Sequence, residues 1–166
     1  MTWLSVDSGS YVTAAIAWEE DRPRAWMLAQ PGAKAPLEER LATIVSAFRS
    51  FGQAQQVELV VIEKALSTPK RPAPEAMVTY RRLCRVAKDE GWQVVSIHPS
   101  TVLASVRPRW TKGWTSKDIL AVGVKMLYPD YVKPDFCQDL LDALAVGRCY
   151  LNQTEEAELI ARELKP

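Results

Sequence analysis

The sequence predicts an α/β fold: a five-stranded mixed sheet, three antiparallel strands first and two further parallel strands after them, flanked by helices. Two observations predict it. Strand-like runs cluster before residue 30, and from residue 37 onward helical periodicity alternates with short apolar runs. The 166 residues have the length of one ordinary domain, so 1–166 is read as a single unit around a single core. Hydrophobic residues make up 48% and charged residues 25%, a balance that excludes a disordered or fibrous chain.

Each element has its own signal. Thr2–Val6 is apolar and partly β-branched, and Asp7-Ser8-Gly9-Ser10 is turn chemistry, giving a strand and a hairpin. Tyr11–Trp18 and Arg24–Ala29 continue as strands across the charged turn Glu19–Pro23. Leu37, Leu41, Ile44, Val45 and Phe48 recur at three- and four-residue steps, which predicts a helix ending near Gly52. Val57–Glu63 reads as a buried strand. From Glu75 to Glu90, Ala76, Met77, Tyr80, Leu83, Cys84 and Ala87 line one helical face and Arg81, Arg85 and Lys88 another, and Gly91 stops the helix. Gln93–His98 is a strand, and Pro99 opens a short helical turn. Thr115 with Asp118 forms a capping-box-like start for a helix to about Tyr128. Asp135–Leu151 is a further helix, and Thr154–Leu164 reads as another, capped by Thr154. Ser67–Pro74 is the one stretch expected to be mobile.

The longest apolar runs, such as Val57–Ile62 with Glu58 inside it, fall far short of the roughly 20 residues that cross a bilayer. Met1–Asp7 carries neither a basic leader nor a cleavage site, so a cytoplasmic location is expected. Cys84, Cys137 and Cys149 form no C-x-x-C pair and are expected to be reduced and buried.

The carboxylates carry the chemistry. Asp7 and Glu63 end buried strands, where an unpaired carboxylate is costly. If those strands are parallel neighbours, both groups project from one sheet edge, where their repulsion calls for a divalent cation. Asp139 and Asp142 stand at i,i+3 and share one helix face, while Leu140, Leu141 and Leu144 anchor that helix to the core. Taken singly, Asp139 and Asp142 also read as a solvated helix face, and Asp7 as a turn or cap residue. Glu63 has no such plain alternative.

In order and context these pieces resemble the RuvC family of Holliday-junction resolvases in the RNase H-like superfamily. Val-Asp-Ser-Gly-Ser (6–10) resembles a first strand ending in Asp-Pro-Gly-Ser. Val-Ile-Glu-Lys-Ala (61–65) resembles the strand with the catalytic Glu, and Gln-Asp-Leu-Leu-Asp-Ala-Leu-Ala (138–145) the family's D-x-x-D-A-L-A helix. The resemblance spans essentially the whole chain. It implies that Asp7, Glu63, Asp139 and Asp142 hold two Mg²⁺ ions, with Mn²⁺ able to substitute, since oxygen-only ligands favour these ions over zinc. It further implies a homodimer resolving four-way DNA junctions by paired symmetric nicks with 5′-phosphate and 3′-hydroxyl ends. Lys117, at the start of the helix that runs to about Tyr128, resembles the family's lysine of the loop before that helix and is taken as a phosphate contact close to the metals, with a solvated surface lysine as the alternative.

Arg107, Arg109, Trp110, Lys112 and Trp114 interleave cations with aromatics, a combination suited to phosphates and unpaired bases, though one tryptophan could be core. Lys70 and Arg71 extend the expected DNA contacts. Leu66 stands where the family carries an aromatic wedge, which loosens the expected selectivity for four-way junctions over other branches such as flaps and forks. The four carboxylates specify phosphodiester hydrolysis and not the sugar, so RNA or RNA–DNA hybrids are the alternative substrates. Ser8 replaces the usual proline, and both departures suit a divergent, phage-type branch. His98 reads as a turn or capping residue. Asp7–Ser10 also resembles the phosphate loop of actin- and sugar-kinase-like folds, but those need two such domains and 166 residues hold one.

The formal net charge of +1 looks unsuited to nucleic acid until it is resolved by position. Residues 64–117 carry 11 basic against 3 acidic groups, net +8, while residues 1–63 and 118–166 are net −3 and −4. A basic middle thus lies between two acidic segments that contain the four carboxylates.

Overall fold

The computed structural model describes residues 1–66, 72–108 and 111–163. Ten elements follow in the order β1 (Thr2–Ser8), β2 (Thr13–Glu19), β3 (Arg22–Ala29), α1 (Leu37–Ala54), β4 (Leu59–Glu63), α2 (Pro74–Asp89), β5 (Gln93–Ile97), α3 (Pro99–Val106), α4 (Ser116–Leu127) and α5 (Gln138–Glu163). The strands form one sheet in the order β3-β2-β1-β4-β5. β1 pairs antiparallel with β2 and parallel with β4, and β4 pairs parallel with β5, as the sequence predicts. The outer strands differ: β3 contains Pro23 and shifts register against β2 near Ala17/Trp18, while β5 is only five residues long.

Alternation along β1 divides the core into two layers. Leu4 and Val6 pack with Ala15, Val60 and Ile62 beneath α1 and α2. Trp3 packs on the opposite face with Ile16, Trp18, Leu59, Val61 and the apolar face of α5. Asp7 has the parity of Trp3 and therefore faces the α5 side. There the rings of Trp3 and Trp18 stack at 5.0 Å and 7° between planes, and Trp18 Nε1 donates to the buried Ser5 Oγ at 2.8 Å. Gly147 lets α5 come down onto this stack, because a Cβ there would lie 2.2 Å from the Trp18 ring.

The structure differs from expectation at a few places, each for a local reason. α5 is one continuous helix and not two: Thr154 does not cap but donates its hydroxyl to the carbonyls of Tyr150 and Leu151 within the helix. In α2 the fully buried side chains are Thr79, Leu83, Val86 and Ala87, whereas Ala76, Met77, Tyr80 and Cys84 are half-buried. Thr79 tolerates the core because its hydroxyl donates to the Glu75 carbonyl. Tyr11 belongs to the β1–β2 turn and not to β2. Cys149 is buried, but Cys84 and Cys137 are only half-buried, and all three are free thiols. Pro74 is the first residue of α2, and the remainder of the stretch expected to be mobile lies mostly outside the described residues.

Gly147→Ala separates packing from helix propensity. Propensity alone would make alanine the more stable residue by about 1 kcal/mol. The missing space against Trp18 reverses the sign, and a loss of about 1–3 kcal/mol in urea unfolding is expected.

Candidate active site

The register of β1 and β4 builds the site. Val6 stands opposite Ile62, so Asp7 and Glu63 are the next residues along adjacent parallel strands, both on the face toward α5. Asp139 and Asp142 sit in the opening turns of α5, whose Leu140, Leu141 and Leu144 are buried in the same core layer. The apolar positions between and beyond the two aspartates fix which way they face.

The electrostatics show the convergence. Burial pushes the Asp7 carboxyl well above its usual range, and repulsion from Asp142, Glu63 and Asp139 pushes it further. Glu63 is raised to about 7 by burial and then by Asp142. Asp142 is raised to about 6 by burial, opposed first by a hydrogen bond from Gln138 Nε2 to its Oδ1 at 2.6 Å; Asp139 raises it further and Lys117 lowers it. These are negative groups gathered with little compensation, a donor set of carboxylate oxygens suited to a hard divalent cation. Among the described residues, no three His, Cys, Asp or Glu side chains stand in ligating arrangement as they are. Asp142 is turned instead toward Gln138.

Lys117 lies exposed in the first turn of α4, after a full capping box between Thr115 and Asp118. Its positive charge opposes the rise at Asp142, the smallest of the effects there. A cleft of about 400 Å³ opens between Asp7, Ser8, Glu63, Lys64, Ala65, Leu66, Ala76 and Pro99. Leu66 is 41% exposed at its rim.

No family model matches this chain, and no curated protein does. Solved structures do. RuvC from Thermus thermophilus, bound to a Holliday junction substrate, superposes with a TM-score of 0.75 at 16% identity, covering 94% of this chain and 96% of that one. A second structure of the same RuvC gives 0.75 over 95% and 97%. The chain has the RuvC fold. The yeast mitochondrial Holliday junction resolvase also matches, with a TM-score of 0.57 at 12% identity over 98% of this chain and 86% of that one.

Within this RuvC fold the other expected contacts fall at different places. Arg107 and Lys112 line a separate open cleft of about 650 Å³ with Ser100, Leu103, Ala104, Pro108 and Thr111. Arg107 Nε donates to Thr111 Oγ1 at 2.9 Å, and the backbone N–H of Trp114 to the Thr111 carbonyl at 3.2 Å. Trp114 is exposed, not core. Lys70, Arg71, Arg109 and Trp110 lie outside the described residues. His98 caps α3, its Nδ1 accepting from the Ser100 backbone N–H, so it serves the fold.

Sequence reading missed Arg40. It is 4% exposed, and its guanidinium donates to the carbonyls of Ala35 and Ser10, both at 3.1 Å, and to Glu75 Oε2 at 3.0 Å. The signal was available: Arg40 lies on the apolar stripe of α1, three residues after Leu37 and four before Ile44, where a charge needs a buried partner.

The raised carboxyls set the pH response of the metal-free protein. They bind protons more tightly folded than unfolded, so their contribution to stability is present at acid pH and is lost as pH rises through about 6 to 7. In chelating buffer, the melting temperature of the wild type should therefore fall from pH 5 to 7.5 more steeply than that of Asp7→Asn. At pH 7.5 the variant should be the more stable of the two. Parallel scanning-calorimetry profiles for the two proteins would show the repulsion to be absent.

Proposed function

We propose that this chain is a divalent-metal-dependent endonuclease that cuts four-way junctions and related branched DNA. The observation that carries the reading is the gathering of Asp7, Glu63, Asp139 and Asp142 at one end of a RuvC fold, where burial and then neighbouring carboxylates hold Asp7, Glu63 and Asp142 above their usual range. The T. thermophilus RuvC that shares this fold was captured on a Holliday junction, which supports branched DNA as the substrate class.

Asp7, Glu63, Asp139 and Asp142 would hold Mg²⁺ or Mn²⁺, which when bound supplies an activated water and stabilises the oxygen that leaves phosphorus. The chain's own groups do the rest. Gln138 releases or retains Asp142 through its hydrogen bond, Lys117 offers a cation to a phosphate oxygen, and Arg107 and Lys112 hold the backbone of a DNA arm in their cleft. Leu66 wedges at the rim without the stacking surface of an aromatic, which favours a broader choice of branches, flaps and forks included. Two opposed cuts in a two-fold symmetric junction need two sites, so the working form is a homodimer.

The test is cleavage of labelled four-way junction, flap, fork, linear duplex and RNA–DNA hybrid with Mg²⁺ or with EDTA. Cutting of junctions above linear duplex, abolished by EDTA and reduced at least about 100-fold by Asp7→Asn, is expected, since removing even an outer-shell partner of a metal ligand costs up to about that much. Cutting confined to the hybrid would reassign the substrate to RNA. Light scattering at the assay concentration should give twice the chain mass; a strict monomer would defeat the paired-nick scheme.

A further inference from the structure

Three aromatic side chains are conspicuously exposed among the described residues: Tyr11, Trp26 and Trp114. Trp26 packs edge-on against Phe136, and Trp114 precedes α4. Tyr11 differs, because it sits at the tip of the hairpin whose first strand carries Asp7 and is held there by a buried charge. Its ring lies 4.0 Å from the guanidinium carbon of Arg40, and half of its surface is open.

The hold is unusually firm. The Arg40 guanidinium is fixed from three directions, by the Ala35 carbonyl ahead of α1, the Ser10 carbonyl in the hairpin turn and the Glu75 carboxylate at the start of α2. Ser10 Oγ also donates to Glu75 at 3.4 Å, and Thr13 Oγ1 donates to the Gly9 carbonyl at 2.8 Å. Gly9 has no room for a side chain, since a Cβ would lie 2.3 Å from the Val12 carbonyl oxygen. The turn is thus tied across its base, to α1 and to α2. An exposed tyrosine contributes little to the core, and burying an arginine beneath it carries a desolvation cost. That arrangement makes sense as the support of a rigid π surface whose ordering cost is met before any ligand arrives.

The place of that surface specifies the ligand. Ser8 and Ala76 line the cleft with Asp7 and Glu63, and each adjoins the Arg40 cluster in sequence, Ser8 two residues before Ser10 and Ala76 next to Glu75. The Arg40 cluster that carries Tyr11 thus adjoins two residues of the cleft wall, on the α1–α2 side of the sheet, while the carboxylates face the α5 side. A strand whose phosphate reached the carboxylates would pass the turn that follows Asp7, and a planar base without a pairing partner is the group that stacks on a ring exposed there.

We propose that Tyr11, backed by Arg40, is a stacking platform for an unpaired base beside the scissile phosphate. The assignment rests on the nuclease reading of the site. Arg40 is a positioning residue in it, and Tyr11 touches the DNA.

The experiment compares wild type, Tyr11→Phe, Tyr11→Trp and Tyr11→Ala on a four-way junction with 2-aminopurine at the branch. Steady-state cleavage with Mg²⁺ and the 2-aminopurine signal on binding are both read, with melting temperatures as a check on folding. One stacked base supplies on the order of 10- to 100-fold in binding. Tyr11→Ala is expected to raise KM by about 10-fold or more with kcat nearly unchanged, and to abolish the fluorescence change. Tyr11→Phe and Tyr11→Trp should keep both, because each keeps a ring. If Tyr11→Ala matches a wild type that cuts, in KM and in fluorescence, the platform is overturned while the nuclease reading stands. Equal losses in Tyr11→Phe and Tyr11→Ala also overturn it, since the hydroxyl would then be the contact. A wild type that neither binds nor cuts DNA overturns the nuclease reading and the platform together.

Discussion

Parallel pairing of β1 with β4 is the constraint on which the rest of the molecule depends. Neighbouring parallel strands end at the same edge of a sheet, so any residues placed last on them come abreast. With Val6 opposite Ile62, this brings Asp7 and Glu63 together without any help from loops. The antiparallel pairing of β1 with β2 then leaves a short turn beyond Asp7, and that turn is where Tyr11 and Arg40 meet. One strand thus carries Asp7 and leads directly into the turn that Arg40 holds.

Holding like charges together has to be opposed by something else in the fold, and α5 supplies it. Leu140, Leu141, Ala143, Leu144, Ala145 and Val146 are all buried, and Gly147 lets the helix sit close over the Trp3–Trp18 stack. Apolar burial on this scale is non-directional and strong, so it can keep Asp139 and Asp142 facing Asp7 and Glu63 against their repulsion. The carboxylate cluster and the tryptophan core are two sides of one helix's placement.

Much of this was legible in the residues. The mixed sheet, with three antiparallel strands first and parallel ones after, follows from apolar runs and turn residues, while the grouping of Asp7, Glu63, Asp139 and Asp142 is expected from their order and context together with the family resemblance. The capping box at Thr115 and the capping role of His98 follow from local chemistry and needed no tertiary information. What escaped depended on contacts distant in sequence. Arg40 reaches Ser10 and Glu75, 30 and 35 residues away, and periodicity along α1 cannot show what a charge on its apolar stripe will meet. Thr79 was passed over in α2 because its hydroxyl is satisfied by its own helix, which a polarity pattern does not register. The continuity of α5 was hidden for the same reason: Thr154 has a capping residue's chemistry and spends it on carbonyls one turn back.

An open sheet has two edges, and here they are guarded unequally. β3 carries Pro23, which offers no N–H to an incoming strand, and its register shift near Ala17/Trp18 bends the ladder away from regularity. A foreign strand therefore finds no continuous row of donors and acceptors along that side. β5 depends on brevity instead, presenting five residues, of which Gln93 and Ser96 are exposed. These are the devices by which sheet proteins avoid edge-to-edge aggregation. They let a nearly neutral chain, with little net repulsion between copies, keep one sheet from growing into the next.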